Sequence, residues 1–242
     1  MKKLLILLCL SLLILTACSK KDDDGNKEPQ GCDIIDDCTP DEKGDDAMTF
    51  KEKYEFFNGV VYDDGEVVRT ISIPEDHPFI KTSGQDIINR IENKETFYLY
   101  IGDEQCPWCR SVIEKAIEVA KQHNIDTIYY IEVWDADFNE IFRDRYRYED
   151  NQVKKLSDGD PTYPKFLELF DEFLDDYTLF DGENDIEVGE KRIYVPAYFY
   201  IENGVAKKYT TGTSPLQSES GMELTEEMLK DETDMFNEFF NN

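Results

Sequence analysis

The sequence predicts an α/β fold with a mixed central sheet flanked by helices. Three observations support this prediction. A buried strand, a helix and a second strand follow one another between residues 96 and 134, and such a unit makes its two strands parallel. Two apolar runs are joined through Asn203-Gly204, a strong signal for an antiparallel hairpin. The chain closes with an amphipathic helix that carries Leu224, Met228, Leu229, Met235, Phe236, Phe239 and Phe240.

The first residues have the features of an export signal. Two lysines precede the apolar run Leu4–Leu15, which is shorter than the roughly 20 residues that a permanent membrane-spanning helix needs. Its exit, Leu15–Cys18, resembles the lipobox of bacterial lipoproteins. The resemblance implies that residues 1–17 are a signal peptide and that Cys18 carries lipid at the outer face of a bacterial cell membrane. The alternatives are an ordinary signal peptide with a chance cysteine and an uncleaved anchor.

Residues 18–48 are expected to form an acidic, disordered tether. They are rich in Asp, Glu, Lys, Gly and Pro and have almost no large apolar side chains, so burial cannot offset their chain entropy. The whole chain of 242 residues has a formal net charge of −28. A field of this sign repels nucleic acid and anionic lipid, so we expect no nucleic-acid partner.

Residues 49–242 are long enough for one domain with a substantial core. Strand-like runs between residues 56 and 73 flank an Asp-Gly turn and predict a hairpin. Ser83 is expected to cap a helix whose apolar face carries Ile87, Ile88 and Ile91. These elements precede the predicted central unit.

The central unit contains the motif Cys-Pro-Trp-Cys. Residues 96–101 predict a buried strand because they are almost continuously apolar or aromatic. The motif at 106–109 follows it and opens a helix that reaches about His123. Residues 127–134 predict the second strand.

Residues 135–190 are predicted to be a helical insertion that shapes a substrate groove. Phe138, Ile141, Phe142 and Tyr146 suggest one helix. A second, stronger pattern is formed by Phe166, Leu167, Phe170, Phe173, Leu174 and Tyr177. Loops rich in Asp and Gly join the two, and Val195-Pro196 then leads into the hairpin.

The six cysteines restrict the chemistry. Cys9 leaves with the signal peptide. Cys32 and Cys38 lie in the tether, outside the cytoplasm, where they could close a small disulfide loop; a redox role is the alternative for this pair. The pair Cys106 and Cys109 could hold zinc, form an inert disulfide or act as a redox centre.

A redox centre has the strongest physical basis. Zinc usually takes four ligands, and the chain has only His77 and His123 besides its cysteines, so neither a metal nor a cofactor is predicted. Cys106 stands at a strand-to-helix junction, where free N–H groups and the helix dipole stabilise a thiolate, and Pro107 suits the first helical turn. An exposed Cys106 thiolate would attack a substrate disulfide, and Cys109 would resolve the mixed disulfide.

Three features resemble the thioredoxin superfamily, both in the type of element and in its order along the chain. They are residues 97–123, the later Val195-Pro196 and the hairpin around Gly204. The resemblance implies a thioredoxin-like fold in which Pro196 is cis and faces the disulfide. It also implies that the backbone of Val195 pairs with the substrate. Together with the acidic lipoprotein leader, the chain resembles the bacteriocin transport accessory proteins of Gram-positive bacteria.

The chain departs from that pattern near the motif. Gln105 stands where thioredoxins have Trp, and Tyr100 stands where they have a buried carboxylate. Asp103 and Glu104 are expected to face solvent, so water or Glu104 is the expected proton relay. Trp108 after a proline is nearer to glutaredoxins and to oxidising or isomerising members. We expect an exposed Trp108 that forms part of the substrate platform, with a packing role as the alternative.

Two hypotheses of function follow. The first is a thiol–disulfide oxidoreductase that exchanges disulfides with exported proteins and is served by an unidentified redox partner. The second is a non-enzymatic accessory lipoprotein that binds an exported peptide near Pro196. In that case Cys106 and Cys109 only hold the start of the helix together. Metal or haem-ligand handling by the two thiols is a third possibility. The direction of electron flow stays open, because it depends on the relative stability of the two redox forms.

Overall fold

The computed structural model of the chain describes residues 48–61, 65, 67–135 and 137–241. All of them belong to one compact unit, Gly31–Asn242. The predicted signal peptide, nearly all of the tether, the lipidation of Cys18 and the disulfide between Cys32 and Cys38 lie outside the described residues. Within that described part, no helix is long and apolar enough to cross a bilayer.

Five helices and nine strands occur in the described residues. In chain order they are α1 (Phe50–Phe56), β1 (Phe79–Lys81), α2 (Gly84–Glu92), β2 (Phe97–Gly102), α3 (Pro107–Gln122), β3 (Ile128–Glu132), β4 (Arg145–Glu149), β5 (Gln152–Ser157), α4 (Tyr163–Leu169), β6 (Asp175–Phe180), β7 (Asp185–Arg192), β8 (Ala197–Glu202), β9 (Val205–Thr210) and α5 (Glu226–Phe240). A short 3-10 helix, Asp171–Phe173, follows α4.

A five-stranded mixed sheet forms the centre of the molecule, in the spatial order β1-β3-β2-β8-β9. β1, β3 and β2 run parallel, whereas β8 runs antiparallel to β2 and β9 antiparallel to β8. The predicted α/β class, the parallel pair around the motif and the Asn-Gly hairpin are therefore confirmed.

Both faces of the sheet are covered, which explains the continuous apolar run of β2. Successive residues of a strand point to opposite faces. Tyr98 and Tyr100 accordingly join the core formed with α1, α3 and α5. Leu99 and Ile101 join the core formed with α2 and α4. β2 is thus the buried axis of the sheet, and its carboxyl end leads to the cysteine motif.

α3 begins at the cysteine pair. Cys106 is its N-cap, with an extended backbone (φ −73°, ψ 115°), and Pro107 occupies the first helical turn. The helix ends at Gln122, and Asn124 just beyond it takes a left-handed φ of 56°. The observed helix matches the predicted one and holds Cys106 at its amino end.

The prediction of a helical insertion over 135–190 is wrong. The segment forms two hairpins, β4–β5 and β6–β7, and α4 is its only α-helix among the described residues. Side chains along β4 alternate between exposed and half-buried, which is the period of a strand. Asp150 and Asn151 both take a left-handed φ, of 54° and 58°, and so close a two-residue turn.

The stronger of the two predicted helices is only partly formed. The apolar pattern between 166 and 177 stays helical as far as Leu169, and the chain then turns through the 3-10 helix. Tyr177 belongs to β6, whose pairing with β7 provides main-chain hydrogen bonds that the spacing of apolar residues cannot reveal.

The hairpin predicted between residues 56 and 73 is also wrong for most of its length. A capping box starts α1: the Thr49 hydroxyl accepts from the Glu52 N–H, and the Glu52 carboxylate accepts from the Thr49 N–H. Phe56 is therefore helical. In the described residues the hairpin is reduced to an isolated bridge between Val61 and Val67 and to backbone hydrogen bonds that join Gly59 and Val60 to Val68.

Candidate active site

Cys106 and Cys109 lie at the amino end of α3, after the loop that leaves β2. Both are free thiols, so the geometry is that of the reduced pair. The backbone N–H of Cys109 donates to the Cys106 sulfur over 3.4 Å. The helix terminus therefore provides N–H groups that favour a thiolate on Cys106.

The pKa of Cys106 is held below its ordinary value. The largest cause is the hydrogen bond from the Cys109 thiol, and the Cys109 backbone N–H and the positive charge of Arg143 act in the same direction. Burial opposes them, because Cys106 is only 5% exposed. The expectation of an exposed Cys106 is thus wrong, because nearby residues of the same chain cover most of its surface.

Cys109 has no exposed surface. Burial is the main cause that raises its pKa well above the ordinary value, and the sulfur of Cys106 acts in the same direction. The nearby Tyr100 side chain partly opposes the shift. Cys106 is therefore the thiol that ionises first, and Cys109 the thiol that keeps its proton.

The chain that enters β8 lies directly beside Cys106. The Cys106 sulfur is 3.8 Å from the carbonyl oxygen of Val195, to which the thiol can donate. The Val195–Pro196 peptide bond is cis, the isomer that the sequence resemblance implies. Val195 is half-buried and Pro196 is buried. The structure thus brings the predicted nucleophile and the predicted substrate-binding residues together.

Two buried arginines fix the position of the segment that enters β8. Arg143 donates to the Ile193 carbonyl over 3.0 Å, and Arg192 donates to the Asp144 carbonyl over 2.9 Å. The Glu140 carboxylate accepts from both arginines. The 135–190 segment is thereby fastened to the residues just before Val195, and it places a cation close to Cys106. Nothing in the sequence pattern indicated this arrangement.

Asp103 and Glu104 do not face solvent, contrary to the expectation. Their exposed fractions are 0% and 2%. Asp103 turns inward because its carboxylate accepts from the backbone N–H groups of Gln105 and Trp134, over 2.9 and 2.8 Å. Burial and the neighbouring Glu104 raise the pKa of Asp103 well above its ordinary value. The carboxylate of Glu104 accepts from the Tyr130 hydroxyl over 3.4 Å.

Four buried tyrosines lie beneath the cysteine pair and are called the tyrosine cluster: Tyr54, Tyr100, Tyr130 and Tyr198. Three of them form one row across neighbouring strands, because Tyr100 is in register with Tyr130 of β3 and with Tyr198 of β8. The Tyr100 ring stacks on both, with centroids 5.4 and 4.5 Å apart. Tyr54 of α1 completes the cluster, since its hydroxyl lies 2.8 Å from that of Tyr100.

Arg110, the residue after Cys109, joins three parts of the chain. It is 1% exposed, and its guanidinium donates to the backbone carbonyls of Tyr54, Arg69 and Glu104. It also donates to the Asn58 side chain over 2.6 Å. These bonds fasten the segment between α1 and β1 and the motif loop onto the first turn of α3. Sequence reasoning missed this residue, because a charge on a helix normally indicates a solvated face.

Trp108 is half-buried and so lies between the two predicted alternatives. Its backbone carbonyl accepts a hydrogen bond from the Ser111 hydroxyl over 2.7 Å. This bond stabilises the first turn of α3, and the tryptophan ring stays partly open to a substrate.

No cluster of three or more His, Cys, Asp or Glu side chains suited to a metal ion occurs among the residues that the structure describes. Comparisons with models of protein families, with curated proteins and with solved structures found no match.

Proposed function

We propose that this chain is a thiol–disulfide oxidoreductase that works through Cys106 and Cys109. One observation carries the proposal: two thiols share the N-terminus of α3, where the Cys109 N–H donates to the Cys106 sulfur and that sulfur lies 3.8 Å from the carbonyl oxygen of Val195, before the cis Pro196. This environment lowers the pKa of Cys106 and raises that of Cys109. A nucleophilic thiol needs a low pKa to be ionised at neutral pH. A resolving thiol that keeps its proton does not compete with it for the substrate.

The arrangement of the sheet supports a thioredoxin-like fold as part of this proposal. In the sheet, three parallel strands are followed by β8 and β9, each antiparallel to its neighbour, and the helix that packs on one face of the sheet opens with the motif. The strand that follows Pro196 pairs with the strand that precedes the motif. This order agrees with the order of elements on which the sequence resemblance rests.

The exchange proceeds in two steps. The Cys106 thiolate attacks one sulfur of a substrate disulfide; a Cys106–substrate disulfide forms and the other substrate sulfur leaves as a thiolate. Cys109 then loses its proton and attacks the Cys106 sulfur. A Cys106–Cys109 disulfide forms, the second substrate thiolate leaves, and two electrons have passed from the chain to the substrate. Reversal of the same steps oxidises a substrate dithiol.

Substrate positioning is assigned to Trp108, Val195 and Pro196. The Val195 backbone stands beside the Cys106 sulfur, so a substrate strand that pairs with it would bring a disulfide to the nucleophile. Glu104 stays the proposed proton relay, and its contact with Tyr130 connects it to the tyrosine cluster. The lipid anchor at Cys18 places this chemistry at the outer face of the membrane. The partners are then exported proteins and a redox partner.

Trapping of the mixed disulfide tests the proposal. In a full chain with Cys109→Ser, the intermediate on Cys106 cannot be resolved and should accumulate when a disulfide-containing protein is added. Mass spectrometry of the intact chain would detect it. The matched control, Cys106→Ser, should form no adduct at position 109, because Cys109 is buried and protonated. Equal adducts in the two variants, or none in either, would refute the assignment.

The near-complete burial of both thiols favours one alternative, a non-enzymatic accessory protein whose cysteines staple the start of α3. Such a staple would resist reduction, and the chain would bind an exported peptide with unchanged affinity after Cys106→Ser. An oxidoreductase would lose its covalent adduct in that variant.

A further inference from the structure

The loop that follows β3 presents a phenylalanine at the surface. Phe138 is 48% exposed, and its φ of 60° is left-handed, a conformation that bulky side chains rarely adopt. Glycine or asparagine would adopt this backbone more readily. A large apolar ring that is half exposed in an unfavourable backbone conformation adds little to the core, so its position calls for an explanation at the surface.

Hydrogen bonds to Asp135 hold both flanks of Phe138. The Asp135 carboxylate accepts from the backbone N–H groups of Asp137 and Asn139, over 3.0 and 2.9 Å. It also accepts from the Asn139 side-chain amide, and the Asp135 N–H donates to the Asn139 carbonyl over 3.0 Å. Because the backbone on each side of Phe138 is already fixed, a ligand that contacts the ring has little ordering cost to overcome.

One carbonyl oxygen connects this loop to the cysteine motif. The Asp135 carbonyl accepts from the Phe138 N–H and from the side-chain amide of Gln105, both over 3.0 Å. Gln105 directly precedes Cys106 in the chain. The Phe138 backbone is thus two hydrogen bonds away from the residue next to the nucleophile.

Phe57, the C-cap of α1, extends the apolar surface. Its ring is half-buried and meets the Phe138 ring edge-on, with centroids 6.3 Å apart. Arg110 fastens this end of α1 to the first turn of α3, because its guanidinium donates to the Asn58 side chain over 2.6 Å. Phe57 and Phe138 are called the aromatic patch, and both are held to the motif through hydrogen bonds of their neighbours.

The strand order places the aromatic patch and Val195 on different sides of the motif. β3 and β8 are both hydrogen-bonded to β2, one along each of its edges. The loop with Phe138 follows the carboxyl end of β3, and Val195 precedes β8 at the same edge of the sheet, because β8 runs antiparallel. A substrate segment that pairs with Val195 and is joined to Cys106 would therefore continue toward the aromatic patch.

The charge around the aromatic patch is negative. The stretch from 134 to 141 contains Asp135, Asp137 and Glu140 and no basic residue. Glu140 is paired with two arginines, whereas Asp137 is exposed and has no ion-pair partner among the residues that the structure describes. A partner that carries a basic side chain next to an apolar one complements this surface.

We propose that the aromatic patch binds an apolar side chain that flanks the reacting cysteine of the substrate, an inference that rests on the proposed function. The preferred substrate is then an exported protein with an aromatic or large aliphatic residue beside that cysteine and a basic residue that meets Asp137. Burial of the apolar side chain against Phe57 and Phe138 removes all three from water and so favours attack by Cys106. The patch determines specificity and takes no part in the exchange of sulfurs.

The test compares two peptides whose single cysteine is joined by a disulfide to the same coloured aromatic thiol. One peptide has phenylalanine and lysine beside the cysteine, and the other has glycine and serine. Each is mixed with a full chain whose cysteines other than Cys106 and Cys109 are serine, and release of the coloured thiolate gives the second-order rate constant. The parent should react about tenfold faster with the phenylalanine peptide, as expected for partial burial of one aromatic side chain.

Variants of the patch locate the preference. Phe138→Asn removes the ring and keeps a residue that tolerates the left-handed backbone, so it should lose the preference and react normally with the glycine peptide. Phe57→Ala should weaken the preference, and Asp137→Lys should slow the lysine-containing peptide alone. The matched control is Phe180→Asn, which changes a phenylalanine that is 70% exposed at the end of β6 and should keep the tenfold preference.

The outcomes separate the inference from the proposed function. Equal rates for the two peptides in the parent, or a preference that survives both Phe138→Asn and Phe57→Ala, would overturn the inference alone. Self-association of the parent that Phe138→Asn abolishes, measured by sedimentation, would assign the patch to a second copy of the chain and also overturn it. No reaction of the parent with either peptide would refute the proposed function, and the inference with it.

Discussion

The Tyr100 ring lies across Gly102, the residue two positions further along β2. A Cβ at position 102 would fall well inside van der Waals contact with the Tyr100 hydroxyl and ring. Residues two apart on a strand share a face, so the ring leans along β2 toward the motif loop. The lack of a side chain at Gly102 therefore leaves room for the Tyr100 ring and for its hydroxyl, which lies 2.8 Å from that of Tyr54.

Gly102→Ala should force the Tyr100 ring away from Cys109. We expect a loss of about 1 to 3 kcal/mol in the free energy of unfolding, because the packed ring has no room to move. Denaturant unfolding of the parent, both single variants and the Tyr100→Ala double variant measures this. Gly102→Ala should lower the free energy of unfolding much less when Tyr100 is also replaced by alanine. An equal cost in both backgrounds would show that the ring is not what Gly102 accommodates.

Arg143 should control the ionisation of Cys106. Its charge lowers the pKa of Cys106, so Arg143→Met should raise that pKa and slow alkylation of Cys106 at mildly acidic pH. Arg143→Lys keeps the charge and should have a smaller effect. The measurement is the pH dependence of alkylation in chains whose other cysteines are serine. Identical profiles for the parent and the methionine variant would contradict this role.

Arg110 should be essential for stability. Arg110→Lys cannot reach three backbone carbonyls and the Asn58 side chain at once, so buried acceptors lose their donors. We expect the free energy of unfolding to fall by roughly 2 to 4 kcal/mol, because each buried group left without a hydrogen bond costs about 1 to 3 kcal/mol. Arg147→Lys on the exposed side of β4 should change stability by less than about 0.5 kcal/mol. Equal denaturation midpoints for the two variants would count against the role of Arg110.

Glu232 of α5 should make stability depend on pH, because burial raises its pKa. Its folded pKa of about 7 lies above the unfolded value of about 4.3, so in this window the folded chain holds a proton that the unfolded chain has lost. The free energy of unfolding therefore falls as the pH rises through the window. Glu232→Gln removes this effect and should be more stable than the parent at pH about 8, by on the order of 2 kcal/mol.

The same two chains should differ little at pH about 4, where both side chains are neutral. Urea unfolding at several pH values measures the difference, and Glu223→Gln, which changes an exposed carboxylate, is the control that should follow the parent. A constant difference between Glu232→Gln and the parent at every pH would mean that the carboxyl does not titrate in this window.

The centre of the fold could be predicted because its signals are local. The buried run before the motif, the helix that begins at Pro107 and the turn at Asn203-Gly204 each lie within a few residues. Ser83 caps α2 as predicted, since its hydroxyl accepts from the Asp86 N–H. The short edge strand β1 was missed, because three residues between prolines and a helix cap give too little pattern.

The environment of the site could not be predicted because it depends on long-range packing. Tyr100 was recognised as a departure, but its row with Tyr130 and Tyr198 exists only through strand register. The inward turn of Asp103 follows from a hydrogen bond to Trp134, across two strands.

The reduction potential of the Cys106–Cys109 pair tests the central claim most directly. The full chain with its other cysteines replaced by serine would be equilibrated with glutathione mixtures, and the reduced fraction read by alkylation and mass. We predict a reversible two-electron couple between about −120 and −270 mV, the range of known exchange proteins, and its loss in Cys106→Ser and in Cys109→Ser. A potential near −270 mV would indicate a reductase, and one near −120 mV an oxidase or isomerase. A pair that stays oxidised in every mixture would contradict the account.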